Sequence, residues 1–313
     1  MVQPVLVARE LKKNFGRVEA LSSFSVDLSA GEFLCLVGPD GAGKSTALKL
    51  LCGLEKADSG GIELFGQKVA RFSSDLRARV GYLPQGFSLY EDLTVEENLV
   101  FFAELYGISD YVELINSLLE FTRLQPFRQR LARQLSGGMK QKLALACTLV
   151  HRPEILLLDE PTTGVDPVSR RDFWQILFKL QQRGKSILMT TPYLDEAERA
   201  SRVAFILQGR VLACDRPEKI KEKFRARLVE VISADSRRLQ QKLKESGEFL
   251  DVQLFGDRLH LVLPEACSLQ KLEKLLAQTG VEIQSLTEIQ PSLENVFILM
   301  MKAGIEARNE TGS

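Results

Sequence analysis

The run Gly38-Pro39-Asp40-Gly41-Ala42-Gly43-Lys44-Ser45-Thr46 constrains this chain more than any other stretch. It fits the pattern in which glycines free backbone N–H groups to cradle phosphates, a lysine reaches the β- and γ-phosphates, and a hydroxyl meets Mg²⁺. The motif works between a strand and a helix, and both flanks agree. Phe33 to Val37 reads as the incoming strand and Lys44 to Leu51 as the outgoing helix, whose N-terminus favours negative charge. The fold class predicted is α/β, and the alternation of short apolar strands with helical stretches from Phe33 to about Leu212 predicts a parallel core. Kinases, GTPases and ATPases all remain open on this motif alone.

With 313 residues, the chain has room for about two domains. Its 45% hydrophobic content is enough for packed cores. Lys plus Arg is 41 and Asp plus Glu is 41, a zero formal charge that argues against a nucleic-acid partner. No apolar run approaches the ~18–20 residues of a membrane span. Met1 to Glu10 lacks the apolar stretch of a signal peptide, so the chain is expected not to cross a membrane by itself. Cys35, Cys52, Cys147, Cys214 and Cys267 are scattered, with no Cys-x-x-Cys pair and no histidine near a cysteine cluster. That argues against a structural zinc site and a disulfide framework and for buried cytosolic thiols.

Val5 to Val7 and Ser25 to Leu28 read as short strands ahead of the phosphate loop. Thr94 to Gly107 and Val112 to Leu119 read as amphipathic helices, and the aliphatic run Ile155 to Leu158 as a strand buried on both faces. The polar stretch Asp215 to Lys223 marks a domain boundary. Beyond it the order is strand (Leu228 to Ser233), helix (Ser236 to Ser246), strand (Phe249 to Phe255), strand (Arg258 to Leu263), helix (Leu269 to Thr279), strand (Val281 to Glu288). Gly256-Asp257 is a hairpin turn, and Gly247 and Gly280 stand where left-handed helix caps are wanted. This β-α-β-β-α-β order predicts a small α+β, ferredoxin-like domain. Pro291 to Lys302 reads as a closing helix and Ala303 to Ser313 as a frayed tail.

Asp159 and Glu160 end the Ile155-to-Leu158 strand, where ligands meet an open α/β sheet. Asp159 suits a Mg²⁺-side carboxylate, and Glu160 suits a base that orients an attacking water. Leu135-Ser136-Gly137-Gly138-Met139-Lys140-Gln141-Lys142 then resembles the signature segment of ABC ATPases. Ser136 with Gly137 and Gly138 opens a helix, so amides and a helix dipole point at an anion. The resemblance covers roughly residues 4–215, with further motifs in order. Gln85 in Gly81-Tyr82-Leu83-Pro84-Gln85 resembles the Q-loop, Asp166 in Thr162-Thr163-Gly164-Val165-Asp166-Pro167 the D-loop, and Phe15 the aromatic that stacks on adenine. It implies an ATP-binding domain over 1–218 with a helical subdomain at about 86–150; the polar stretch gives a linker at 219–226, and the strand–helix order a second domain with its closing helix at 227–302. It also implies ATP and Mg²⁺ as ligands. Ser45, Gln85 and Asp159 would lie at the metal, Glu160 and Gln85 at the chemistry, and Ser136 to Gly138 on the γ-phosphate of ATP held by a second subunit.

Three residues depart from that family pattern. Met139 replaces the usual Gln, and Asp40 stands where Asn is frequent. The third is Pro192, in Thr190-Thr191-Pro192-Tyr193, at the position of the switch histidine that helps fix the attacking water. Proline offers neither a side-chain donor nor an N–H. The expectation is an impaired ATP site in a subunit that pairs with a fuller, second ATPase, a heterodimer rather than a homodimer.

Pro291-Ser292-Leu293-Glu294-Asn295-Val296-Phe297 resembles the closing motif of bacterial drug- and lipid-export ATPases with separate permease chains. Their resemblance implies a peripheral position on the cytoplasmic face of the membrane. The segment Pro84 to Tyr106, with Phe87, Leu89, Tyr90, Phe101 and Phe102, corresponds to the surface where such ATPases meet an integral membrane permease. Alternatives are a catalytically weak nucleotide-binding structural subunit and a soluble ABC protein acting on ribosomes or DNA. The latter usually carries two cassettes or a long coiled-coil insertion. His151 reads as a structural turn residue, His260 as surface and Trp174 as core.

Overall fold

The computed structural model describes residues 3–86, 89–224, 226–264, 267 and 269–311. Phe87 lies outside them. The chain divides into two compact units, Met1–Arg216 and Pro217–Ser313. In the first, the elements run β1 (Pro4–Phe15), β2 (Val18–Ser29), β3 (Phe33–Val37), α1 (Lys44–Leu51), β4 (Ser59–Leu64), β5 (Gln67–Lys68), α2 (Ser74–Ala78), β6 (Val80–Leu83), α3 (Val95–Leu105) and α4 (Tyr111–Phe121). They continue as α5 (Gly137–Leu149), β7 (Ile155–Asp159), α6 (Pro167–Gln182), β8 (Ser186–Thr191), α7 (Leu194–Ala197), β9 (Arg202–Leu207) and β10 (Arg210–Asp215).

A ten-stranded sheet runs in the order β5-β4-β1-β2-β10-β9-β3-β8-β7-β6. Its centre, β9-β3-β8-β7-β6, is parallel. Every residue of β3, β7 and β8 is buried, which is why these strands read as unbroken apolar runs. Each of Ile155, Leu156, Leu157 and Leu158, at 0% exposure, contributes about 1.5–3 kcal/mol of burial. Trp174 on α6 stacks on Phe33 of β3 with ring centroids 5.1 Å apart, so it is core as expected.

The other end of the sheet corrects the sequence reading. β1, β2, β4 and β5 pair antiparallel, and β1 and β2 are 12 residues each rather than short segments. Their length was hidden because register shifts break the alternation, with Glu10 at φ 47 between Ala8 and Leu11. A bulge of this kind rotates later side chains out of a period of two.

The second unit comprises α8 (Pro217–Glu222), β11 (Arg227–Ser233), α9 (Ser236–Ser246), β12 (Asp251–Phe255), β13 (Arg258–Leu263), α10 (Leu269–Gln278), β14 (Ile283–Glu288) and α11 (Leu293–Thr311). Its sheet has the order β12-β13-β11-β14, antiparallel throughout, as the ferredoxin-like reading required. Val229, Val231, Leu259 and Leu261 form its core with Leu239 and Leu243 of α9 and Leu272 and Leu276 of α10.

Three details differ from the sequence reading. The stretch read as linker begins with α8, whose Ile220 is fully buried. The stretch read as a frayed tail continues α11 as far as Thr311. His260 is not a surface residue: it is half-buried against Phe255, with Nδ1 2.9 Å from Asn295 Nδ2. Among the described residues no helix is long and apolar enough to cross a membrane. Cys35, Cys147 and Cys267 are buried, and Cys52 and Cys214 half-buried.

Candidate functional site

β3 delivers the chain to the phosphate loop at the carboxyl edge of the parallel strands, and α1 leaves from it. Gly43 caps α1 at φ 103, a left-handed conformation that glycine adopts without cost, and among the described residues it supplies no side-chain cap to the helix N-terminus. Beside the loop is a cavity of about 460 Å³ lined by Glu19, Asp40, Lys44, Ser45, Gln85 and Glu160 among others. The loop residues Gly41, Ala42, Gly43 and Thr46 also line it.

Lys44 is only 4% exposed. Its Nζ donates to the carbonyls of Gly38 at 2.9 Å and Pro39 at 3.1 Å, and stands 3.1 Å from Glu160 Oε1. Asp40, whose side chain is fully exposed, is farther away, at 3.9 Å from the same nitrogen. Glu160 Oε2 accepts from Gln85 Nε2 at 3.0 Å and Thr163 Oγ1 at 3.3 Å. Ser45 Oγ donates to Asp159 Oδ1 at 3.0 Å, so the hydroxyl and carboxylate expected at a metal meet directly. Tyr82 OH reaches Asp159 Oδ2 at 3.4 Å; burial and then the Asp159 charge push this phenol well above its usual range.

The donor set fits Mg²⁺. Among the described residues no three His, Cys, Asp or Glu side chains converge as an all-protein metal cage. Mg²⁺ characteristically takes one or two carboxylates plus substrate phosphates, and Asp159 with Ser45 beside the loop offers that partial shell.

Glu160 has φ 46, a left-handed conformation that costs a residue with a side chain about 1–3 kcal/mol. Strain of this kind persists where neighbours over-determine the backbone. Here the Glu160 N–H donates to Thr190 Oγ1 at 2.9 Å. Pro192, half-buried, directly follows β8, whose Thr190 pairs with Asp159. Just beyond it, Glu196 is 1% exposed and accepts from Thr162 Oγ1 and Thr191 Oγ1, both at 2.8 Å.

A second cluster forms elsewhere on the unit. Ser136 caps α5 by accepting from Met139 N–H at 3.3 Å, and Asp166 caps α6 by accepting from Val168 and Ser169 N–H at 3.1 and 3.0 Å. The two caps come together because Gly138 lies against Ser169 with no room for a Cβ. Neither Ser136, Gly137, Gly138 nor Asp166 lines the loop cavity. Phe15 does not line it either; it is 47% exposed with Lys13 Nζ 5.0 Å from its ring centre, while Val18, its cross-strand partner, does.

The structure therefore gathers Gly38 to Thr46, Gln85, Asp159 and Glu160, and separately Ser136 to Gly138 with Asp166. Sequence reasoning missed Tyr82, Thr163 and Thr190, which complete the first group. A hydroxyl at the carboxyl end of a strand beside Asp159 was the available signal, but threonine in a strand reads first as β-propensity.

Residues 21–163 match the family model described as ABC transporter, and residues 216–301 the model described as ATP-binding protein DrrA1-3-like, C-terminal domain. Nod factor export ATP-binding protein I of Burkholderia lata is 36% identical over 294 residues, 93% of this chain and 94% of that protein. The "Probable multidrug ABC transporter ATP-binding protein YbhF" of Escherichia coli is 38% identical over 304 residues. That alignment takes in 95% of this chain and 52% of the relative, so the chain spans about half the relative's length. A solved ATP-binding subunit of an ABC transporter aligns at 30% identity and a TM-score of 0.64, covering 70% of this chain and 93% of that one. A dimeric bacterial ABC transporter cassette aligns at 27% identity and a TM-score of 0.62, covering 67% and 98%. The matched segments span both units, and the phosphate loop and its carboxylates fall within the first: the chain belongs to the family of ABC transporter ATP-binding proteins.

Proposed function

We propose that this chain binds Mg²⁺–ATP and energises export through a separate membrane permease, as a peripheral subunit on the cytoplasmic face. The observation that carries the reading is the buried Lys44–Glu160 pair beside the Ser45–Asp159 pair, in a cavity at the carboxyl edge of the sheet. The exporter assignment draws on relatives named for multidrug and Nod factor export.

The chemistry follows from these contacts. Arriving phosphates draw Lys44 from Glu160, and the loop amides and the α1 N-terminus add positive potential. Ser45 and Asp159, with Gln85 nearby, would hold Mg²⁺, which would neutralise phosphate charge. Glu160, freed from Lys44, accepts a proton from the attacking water as oxygen bonds to the γ-phosphorus. The bond to the bridging oxygen breaks, leaving ADP and phosphate. Phe15 stacks on the adenine. Pairing with a second cassette brings Ser136 to Gly138 and Asp166 of one subunit onto the nucleotide of the other; solved relatives of this fold form dimers. Pro192 leaves this step without the side-chain donor that a histidine gives, so hydrolysis at this site is slow and the partner is a different, fuller ATPase. The second reading, a subunit that retains ATP mainly to hold the pair together, is favoured by Pro192 and opposed by Glu160.

We infer that the permease docks at a groove of about 430 Å³ lined by Leu54, Tyr82, Pro84, Phe102, Tyr106 and His151 among others. Glu91 and Asp92 already pair with Lys140 and Arg133, so reversing their charges also breaks contacts within the chain. Leu54→Asp, at a residue that lines the groove and is 64% exposed, is the cleaner probe: copurification with a permease should fall, and unchanged copurification would count against the contact. The nucleotide reading is tested by binding of a fluorescent ATP analogue to the parent and to Lys44→Ala. Loss of at least about tenfold in affinity is expected, in line with a charge-assisted contact of ~1.5–3 kcal/mol. Equal binding by the two would overturn it.

A further inference from the structure

One hydroxyl touches both acidic residues of the site. Thr190, near the carboxyl end of β8, is fully buried. Its Oγ1 donates to Asp159 Oδ1 at 2.8 Å and accepts from the Glu160 N–H at 2.9 Å. The competing acceptor, the Leu158 carbonyl, is at 3.5 Å, so the hydroxyl proton is directed to the carboxylate. Asp159 Oδ1 thereby takes two hydroxyls, one from Thr190 and one from Ser45 at 3.0 Å.

The Glu160 backbone explains why such a group is needed. At φ 46 the chain turns out of β7, and the pairing of β7 with β8 ends at Asp159 and Thr190. The Glu160 N–H then requires an acceptor, because a buried amide without one is costly. A hydroxyl does both through one uncharged atom, accepting from that amide and donating to the adjacent carboxylate. Threonine supplies it in a β-branched side chain suited to an interior strand.

We propose that Thr190 is a positioning residue for the Mg²⁺–ATP site, fixing the Asp159 carboxylate at Ser45 and the strained turn that aims Glu160. The inference rests on the Mg²⁺–ATP reading above and adds to it a residue on the same strand end that carries Pro192. Thr190 acts through Asp159 and Glu160. Valine has the shape of threonine and makes neither bond, while serine makes both.

The test compares the parent, Thr190→Val and Thr190→Ser. Affinity for a fluorescent ATP analogue is measured in EDTA and across a Mg²⁺ titration, with kcat and KM alongside and thermal melting to establish folding. In Thr190→Val, binding in EDTA stays at the parent value. The Mg²⁺ needed for half-maximal response rises about 10–100-fold, the range for groups that orient metal-ligating carboxylates. kcat falls with it, and Thr190→Ser keeps both near the parent. If Thr190→Val does not fold, Thr190→Ala carries the same expectation. A folded Thr190→Val with the parent's Mg²⁺ response overturns the inference and leaves the nucleotide reading intact, as does Thr190→Ser failing like valine. A parent that binds no nucleotide overturns the reading, and the inference with it.

Discussion

Gly137 and Gly138 open the same helix, yet an added methyl meets different surroundings at each. A Cβ on Gly137 would have nothing within 4 Å. On Gly138 it would lie 2.3 Å from Ser169 Cβ and 2.4 Å from Ser169 Oγ, far inside contact distance. Both alanine variants gain up to about 1 kcal/mol from reduced backbone freedom and better helix propensity. Gly138→Ala must also force α5 from α6, an overpacking cost of about 1–3 kcal/mol. Gly137→Ala should therefore match or exceed the parent in thermal stability. Gly138→Ala should melt below Gly137→Ala by roughly 2–4 °C for each kcal/mol of that cost. Ser169→Gly removes both clashing atoms, so the Gly138→Ala, Ser169→Gly double variant should recover most of the loss in a double-mutant cycle. Differential scanning calorimetry on the four proteins decides it. Equal melting of the two single variants, or no recovery in the double, would refute the packing argument. The functional consequence runs the other way: Gly137→Ala, stable and with its methyl in open space, should still weaken ATP-driven pairing of subunits if that space receives a partner's phosphate.

Asn295→Ala should destabilise the second unit by about 1–3 kcal/mol, because Asn295 is fully buried and bonds Gln253 Oε1 at 2.7 Å and Ser292 Oγ at 2.7 Å. A shift below about 0.5 kcal/mol in urea unfolding, the level of an ordinary surface change, would contradict that. His151 has Nδ1 buried with no partner among the described residues and its ring 4.2 Å from Tyr106, and burial holds its pKa below the ordinary 6.5. The unfolded chain then binds this proton more readily, so stability is full above 6.5 and is lost as pH falls through that value toward the folded pKa. His151→Phe should flatten this part of the acid-side slope of urea midpoints between roughly pH 7.5 and 5; an unchanged slope would assign it to other groups.

The legible parts of this molecule are those whose chemistry is written in neighbouring residues. Gly38 to Thr46 needs only a strand before and a helix after. Asp159 and Glu160 follow an aliphatic run that can hardly be anything but a doubly buried strand. The ferredoxin-like order was readable because Gly247, Gly256 and Gly280 punctuate it, all three at positive φ. What stayed hidden depends on partners distant in sequence. His260 looks like the outward residue of an alternating strand until Asn295 of α11 closes over its Nδ1. Thr190 is an ordinary strand residue until Asp159 and Glu160 stand beside it. The length of β1 and β2 was hidden by bulges, which shift a face without leaving a signal in the pattern. Lys219 to Lys223 read as a solvated linker because four charged side chains surround the one buried anchor, Ile220.

The ATP site proposed here has its own hydrolysis limited by Pro192. The most direct test is Mg²⁺-dependent ATP hydrolysis by the purified chain beside Pro192→His, with nucleotide affinity measured in both and Glu160→Gln as control. Restoring a donor at the attacking water should raise kcat at least about tenfold, toward the ~10²–10⁴-fold range of a positioned acid or base, at unchanged affinity. That gain should vanish when Glu160→Gln is added. A parent that already hydrolyses ATP at an ordinary exporter-ATPase rate, with no gain from histidine and no loss from Glu160→Gln, would contradict the account.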